Sequence, residues 1–162
     1  MKSTLLIAFS LQLLSFSGYC QKTPAEKLVK ENLHGIVQAL ADRTQGIPEN
    51  VRNLQADSLM VFPQLRIAYY SSGQMLFTES YYVPVGMDEQ RLFFTSVTFD
   101  NKQWSITGVG AVPLTREVQQ IFHEKGTDYP FHTLLRVPDF HGEFLLAGAG
   151  DYLKLYPTIP TR

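Results

Sequence analysis

The hydrophobic pattern of this sequence changes from a helical period to a period of two near Leu59, and this change most constrains the fold. Four runs of alternating residues follow it, separated only by short segments rich in Gly, Ser, Asp and Asn. Such runs predict β-strands, and the short connections predict antiparallel neighbours in a meander. The predicted strands span residues 59–70, 74–85, 91–99 and 103–112.

A helix is predicted ahead of the strands. The run from Thr23 to Glu26 contains a hydroxyl N-cap, a proline at the first helical position and a glutamate three residues after the cap. Apolar residues at helical spacing continue to Ala41, and Gly46 and Pro48 end the pattern. We therefore expect one long helix over residues 24–44, with its apolar stripe in the core.

The second half of the sequence predicts a further helix and more strands. Pro113 ends the fourth strand, and Thr115 is a candidate N-cap for a short helix over residues 116–125. The expected fold class is α+β: an antiparallel sheet, consisting of the four-strand meander plus three further strands, packs against the long N-terminal helix. The three further strands are predicted over residues 131–137, 143–147 and 152–156.

The first residues have the three-part layout of a secretory signal peptide. Lys2 provides a positive charge, residues 4–14 are mostly apolar, and small residues mixed with aromatic rings lead to Cys20. The apolar run is shorter than the roughly 20 residues that a membrane-spanning helix needs. We therefore predict a signal peptide over residues 1–20 and a single α+β domain over residues 21–162, with no integral membrane segment after cleavage.

Two cleavage positions fit the preference for small residues before the cut, after Cys20 and after Ser17. We prefer the cut after Cys20, because it leaves Gln21 as the new amino terminus just before the predicted helix. A lipid anchor on Cys20 is the minority interpretation, because Tyr19 stands where a lipoprotein signal wants a small residue. The pattern resembles a bacterial signal peptide, and it predicts a periplasmic or extracellular protein.

Composition and missing motifs exclude several functions. Without Lys2 the chain has 13 basic and 15 acidic residues, a formal charge of −2, which gives no reason to expect a nucleic-acid partner. Cys20 is the single cysteine, so its removal leaves no disulfide or thiolate chemistry. The sequence contains no phosphate-loop, dinucleotide-binding or Gly-x-Ser-x-Gly motif, and we expect no cofactor.

Two adjacent tyrosine pairs give a binding hypothesis. Tyr69-Tyr70 and Tyr81-Tyr82 stand in predicted strands joined by one turn, and each pair sends one ring to each face of a sheet. One ring of each pair can serve the core. We therefore assign Tyr70 and Tyr82 to the second face, as candidates for contact with a protein, peptide or glycan. The alternative is that the second helix or the last three strands cover that face.

Asp139, His141 and Glu143 are candidate ligands for a metal or candidates for acid–base chemistry. In a strand their side chains would share one face, since residues at a spacing of two point the same way. The alternative interpretation is stronger, because Pro138 and Gly142 are turn residues and a turn would spread the three side chains into water.

These observations favour a small secreted or periplasmic binding protein without enzymatic activity, whose ligand or partner the sequence does not identify. The first alternative is a small extracytoplasmic hydrolase that uses His and carboxylate groups near residues 139–143. The second alternative is a structural subunit of an envelope complex. Each function would depend on a site rather than on the fold class itself.

Overall fold

The computed structural model describes residues 23–43, 45–125, 131–149 and 152–158, so the predicted signal peptide lies outside the described residues. The helices are α1 (Pro24–Glu31), α2 (Leu33–Ala41), α3 (Glu49–Arg52) and α4 (Val112–Lys125), with 3₁₀ turns at Ala56–Ser58 and Pro138–Phe140. The strands are β1 (Met60–Val61), β2 (Leu65–Ser71), β3 (Gln74–Met87), β4 (Gln90–Asp100), β5 (Gln103–Gly110), β6 (Phe131–Val137), β7 (Gly142–Ala149) and β8 (Tyr152–Pro157).

The strands form one eight-stranded mixed sheet. Its order is β5-β4-β3-β2-β6-β7-β8, and the short β1 pairs with β3 beside this path. The α+β class and the meander from β2 to β5 are confirmed. The predicted sheet is wrong at one junction, because β2 and β6 run parallel while the other pairs run antiparallel. This parallel pairing requires the chain to cross from β5 through α4 to the free edge of β2.

The prediction of one long N-terminal helix is also wrong. The capping box is present, since the Thr23 hydroxyl accepts from the Glu26 backbone and the Glu26 carboxylate accepts from the Thr23 backbone. The helix nevertheless ends at Glu31. Asn32 has φ −111° and ψ 14°, and its side-chain amide donates to the Leu28 carbonyl at 2.8 Å. A short polar side chain that bonds locally competes with helical geometry, and this accounts for the break between α1 and α2.

The other predicted helix begins earlier than expected. It includes Val112 and Pro113, because proline lacks the N–H that the first helical turn leaves unpaired in any case. Thr115 is fully buried and does not cap the helix; its hydroxyl donates to the Ala111 carbonyl at 2.9 Å. At 14 residues, α4 is the longest helix of the described chain and not a short one.

The helices cover different parts of the sheet. Side chains of α1, α2 and α3 pack on one face against β3, β4 and β5, where Val83, Val85 and Phe93 are fully buried. On the opposite face α4 packs against the middle of the sheet, where Val118 meets Phe94 and Leu134. The first face is therefore without a helix from β2 to β8 among the described elements. None of the helices in the described ranges has the length and apolar content needed to cross a membrane.

A glycine pair gives a matched test of this architecture. Gly86 lies at a register shift between β3 and β4, and a Cβ there would overlap the Gln90 carbonyl oxygen. We expect Gly86→Ala to lower the free energy of unfolding by at least about 2 kcal/mol, because backbone must move. Gly35→Ala is the control, since no atom lies within 4 Å of the added methyl. Because alanine favours a helix over glycine, this substitution in α2 should raise the free energy of unfolding by about 0.5–1 kcal/mol. Urea unfolding measures both; equal midpoints would contradict the bulge geometry.

Candidate ligand-binding site

An exposed apolar trough lies on the face of the sheet that α1, α2 and α3 leave uncovered. It encloses a cavity of about 450 Å³. Tyr70 is 40% exposed and Leu155 is 54% exposed, although both stand among buried apolar neighbours. We call this surface the apolar trough; it is lined by Tyr70, Met75, Leu135, Val137, Phe144, Leu146 and Leu155.

Strand alternation and pairing build the trough. Leu134 packs under α4, so the adjacent Leu135 points to the opposite face. The parallel register pairs Leu135 with Ala68, two residues from Tyr70. The antiparallel register of β7 and β8 then pairs Leu146 with Leu155. Four strand pairings, β2–β3, β2–β6, β6–β7 and β7–β8, thus bring distant parts of the chain into one apolar surface.

The trough holds several residues that the sequence analysis did not single out as candidates. In β7, Phe144 and Leu146 line the trough, while Leu145 and Ala147 pack in the core beneath α4. Four consecutive apolar residues indicate a strand whose two faces are both apolar. That signal was visible in the sequence, but the surface opposite α4 becomes apparent only from the sheet order.

The structure places Tyr70 and Tyr82 on opposite faces of the sheet. Tyr82 pairs with Leu65 and packs with the residues beneath α4; its ring is stacked on Phe94 at 5.1 Å between centroids. Its hydroxyl accepts a hydrogen bond from Arg136 at 2.8 Å. Tyr70 lies in the apolar trough, five residues along β2 from Leu65. The two tyrosines therefore do not form one surface.

Arg136 organises a polar cluster next to Tyr82. Its Nε donates to Glu143 at 2.7 Å, and its two terminal nitrogens donate to the hydroxyls of Tyr69 and Tyr82 at 3.4 and 2.8 Å. Burial alone would lower the pKa of the guanidinium, but these contacts outweigh it and raise the pKa of Arg136 above its ordinary value. The Arg136 guanidinium therefore links β6 to β2, β3 and β7. With these three partners it has few donors left for a ligand.

The segment around Asp139, His141 and Glu143 forms a turn. Pro138–Phe140 is a 3₁₀ turn that leaves Asp139 exposed, and His141 follows in the left-handed conformation with φ 48°. His141 and Glu143 line a cavity of about 390 Å³, in which Glu143 is bound to Arg136. Among the described residues no group of three or more His, Cys, Asp or Glu side chains could hold a metal ion. The segment is therefore a turn as far as His141, with Asp139 and His141 exposed, whereas Glu143 lies in β7 and is paired with Arg136.

Comparison of the chain with protein-family models, with curated proteins and with solved structures finds no match in any of the three. A function for the chain thus depends on the chemistry of its own described side chains.

Glu117 is a partly buried acid, and one of its carboxylate oxygens has no hydrogen-bond partner among the described residues. It lies on α4, and its Oε2 atom is buried without a hydrogen bond from the described residues. Burial raises the pKa of Glu117 above its ordinary value, and the negative charge of Glu143 raises that pKa further. The folded state therefore favours the protonated acid, and ionisation of Glu117 lowers stability as pH rises from the unfolded-state pKa through the folded-state pKa.

We expect Glu117→Gln to raise the melting temperature at pH 7–8, because the neutral amide removes the ionised buried group. The difference from the wild type should shrink as pH falls through about 4.3, the ordinary pKa of glutamate. Glu124→Gln is the control on the same helix, since Glu124 is exposed. Melting curves from pH 3.5 to pH 8 measure both variants. A Glu117→Gln difference that stays constant across this range would contradict the assignment.

Proposed function

We propose that this chain is an exported binding protein that holds a small apolar ligand in the apolar trough. The observation that carries the proposal is a cavity of about 450 Å³ whose seven lining residues are all apolar or aromatic. Ligand pockets in proteins typically have volumes of roughly 300–1,000 Å³ and mainly hydrophobic linings. The trough has the size and the chemistry of such a pocket.

The exposure of the trough supports a binding role. Apolar faces of a sheet are normally buried against a second layer, and a contiguous exposed apolar patch on a soluble protein often marks an interaction site. Here Leu135, Val137 and Leu146 form the buried floor, while Tyr70 and Leu155 stand exposed at the sides. A ligand that fills the space between them would remove apolar surface from water, at about 25 cal/mol per Å².

The lining also defines the class of ligand. Among the described residues no charged side chain lines the trough, and the hydroxyl of Tyr70 is the one polar side-chain group that does. A charged ligand would lose hydration there without a partner, at a high free-energy cost. An elongated apolar body with a single hydrogen-bonding group, placed near Tyr70, fits this lining. An acyl chain or a flat hydrocarbon ring system has this chemistry.

The proposed location outside the cytoplasm comes from the sequence. Lys2, the apolar run over residues 4–14 and the small residues before Cys20 have the layout of a signal peptide. A protein with an exposed apolar trough in the periplasm or outside the cell would meet lipid-derived and other apolar molecules there. We therefore propose export with cleavage after Cys20, which leaves Gln21 as the first residue.

A neutral fluorescent probe, N-phenyl-1-naphthylamine, tests the trough. We expect saturable binding of the probe to the processed protein. Leu155→Asp should weaken this binding roughly 5- to 30-fold, because it removes a leucine contact worth about 1–2 kcal/mol and places a charge in the trough. Leu76→Asp is the matched control, since Leu76 is 56% exposed, close to the 54% of Leu155, and lies outside the trough. Absence of saturable binding, or equal weakening by both variants, would refute the proposed function.

Intact mass of the protein recovered from the envelope or the medium tests export. We expect a chain that begins at Gln21, as free glutamine or as its cyclised form, with no lipid and no free thiol. A diacylated or triacylated Cys20 would place the protein on a membrane and contradict the proposed processing. A mass for the intact chain from Met1 would show that the leader is retained.

A further inference from the structure

A second candidate binding site, separate from the apolar trough, lies between α4, β4 and α3. Arg91 is its central residue. The Arg91 guanidinium carbon lies 4.7 Å from the ring centroid of Phe62 and 4.0 Å from that of Phe122, so two aromatic rings hold the cation. Arg91 Nη1 donates to Gln119 Oε1 at 3.0 Å. The guanidinium is thus fixed in orientation, as a binding group must be.

The positive charge of Arg91 is not matched by an acid. None of the ion pairs among the described residues includes Arg91, and its Nε–H is buried without a hydrogen-bond acceptor there. A buried donor without a partner costs free energy, and a half-buried charge without a counter-charge costs more. Arg136 shows the contrast, since its guanidinium has a carboxylate and two tyrosine hydroxyls.

The space beside Arg91 is lined by groups that suit an anion. A cavity of about 470 Å³ opens there, and no aspartate or glutamate of the described ranges lines it. Arginine, histidine and amide side chains predominate instead, including Arg91, Arg116, His123, Asn50, Gln119 and Gln120. The carboxylate-bearing Glu89 lines a neighbouring cavity of about 380 Å³ on the side of Phe62 and Phe122, and Arg91, Gln119 and His123 line that cavity as well. The acid-free side therefore has the field that attracts an oxyanion.

We propose that the Arg91 cavity binds a small polar ligand through a carboxylate or phosphate group. The planar guanidinium presents donors in a fork that matches both oxyanions, and the bound oxyanion supplies the counter-charge that the fold omits. Arg116 stands exposed at the cavity and adds a second positive charge. The Asn50 amide, and the Gln120 amide whose nitrogen also donates to Glu124 at 2.6 Å, offer donors and acceptors for the hydroxyl groups of a sugar-sized body. This site does not depend on the apolar ligand of the trough.

Isothermal titration calorimetry of the processed protein at low ionic strength tests the proposal with four probes. The probes are inorganic phosphate, glucose 6-phosphate, glucuronate and glucose. We expect saturable binding of at least one of the three anions and none of glucose. A response to the phosphates alone, or to glucuronate alone, identifies the oxyanion that the site prefers. Failure of all three anions to bind, or glucose binding as tightly as the best anion, overturns the proposal.

Substitutions locate the binding. Arg91→Gln should weaken the best anion about 10- to 100-fold, the range expected for charge-assisted hydrogen bonds, and Arg116→Gln about two- to fivefold. Arg91→Lys keeps the charge but loses the fork, and it should weaken binding at least about fivefold. Arg66→Gln is the control, because Arg66 also lies over an aromatic ring, that of Phe77, but it is paired with Glu79 away from the cavity.

The variants keep the test decisive even if one of them does not fold. Circular dichroism reports folding, and if Arg91→Gln is unfolded, Arg91→Lys and Arg116→Gln decide the outcome. Unchanged affinity in both of these folded variants would overturn the proposal. An equal loss of affinity in Arg66→Gln would also overturn it, since binding would then follow net charge and not the Arg91 cavity.

Discussion

The parallel pairing of β2 with β6 is the interaction on which the rest of the structure depends. Four residue pairs join these strands, from Arg66 with Thr133 to Tyr69 with Arg136. This pairing joins the meander and the C-terminal strands into one sheet. As a result, α4 packs on residues of the meander and on residues of the C-terminal strands. It also brings Arg136 within reach of Tyr69 and Tyr82. Without it, the floor of the apolar trough and the guanidinium cluster would both be absent.

The accuracy of the sequence predictions follows the range of the interactions involved. The meander could be predicted because alternation and turn residues are properties of neighbouring positions, and β2 to β5 lie close to the predicted spans. The capping box of α1 is equally local. The break at Asn32 arises from a single side-chain hydrogen bond that opposes a strong helical pattern. The β2–β6 junction joins residues 67 positions apart, and no local pattern specifies such a partner.

The candidate sites could likewise be predicted only where they depend on residues close together in the sequence. Adjacent residues in a strand face opposite sides, which the sequence predicts for Tyr69-Tyr70 and Tyr81-Tyr82. Which ring of one pair shares a face with which ring of the other depends on register, and Leu65 opposite Tyr82 decides it. Tyr70 therefore lines the trough while Tyr82 packs in the core. Arg91 had no signal in the sequence, since a single arginine becomes a candidate only when its aromatic neighbours and missing counter-charge are seen.

Three of the features that oppose stability among the described residues can be distinguished by their surroundings. Natural sequences tend to break the rules of burial and pairing at functional sites. Exposed Leu155 lies in the apolar trough, and the unmatched charge of Arg91 lines an acid-free cavity. Glu117 is also unpaired, yet it lines none of the cavities described above. A ligand in the trough or in the Arg91 cavity would offset the first two costs, and Glu117 lines neither of these cavities. These surroundings support the proposals of binding at the trough and at the Arg91 cavity, whereas for Glu117 we expect only a pH-dependent loss of stability.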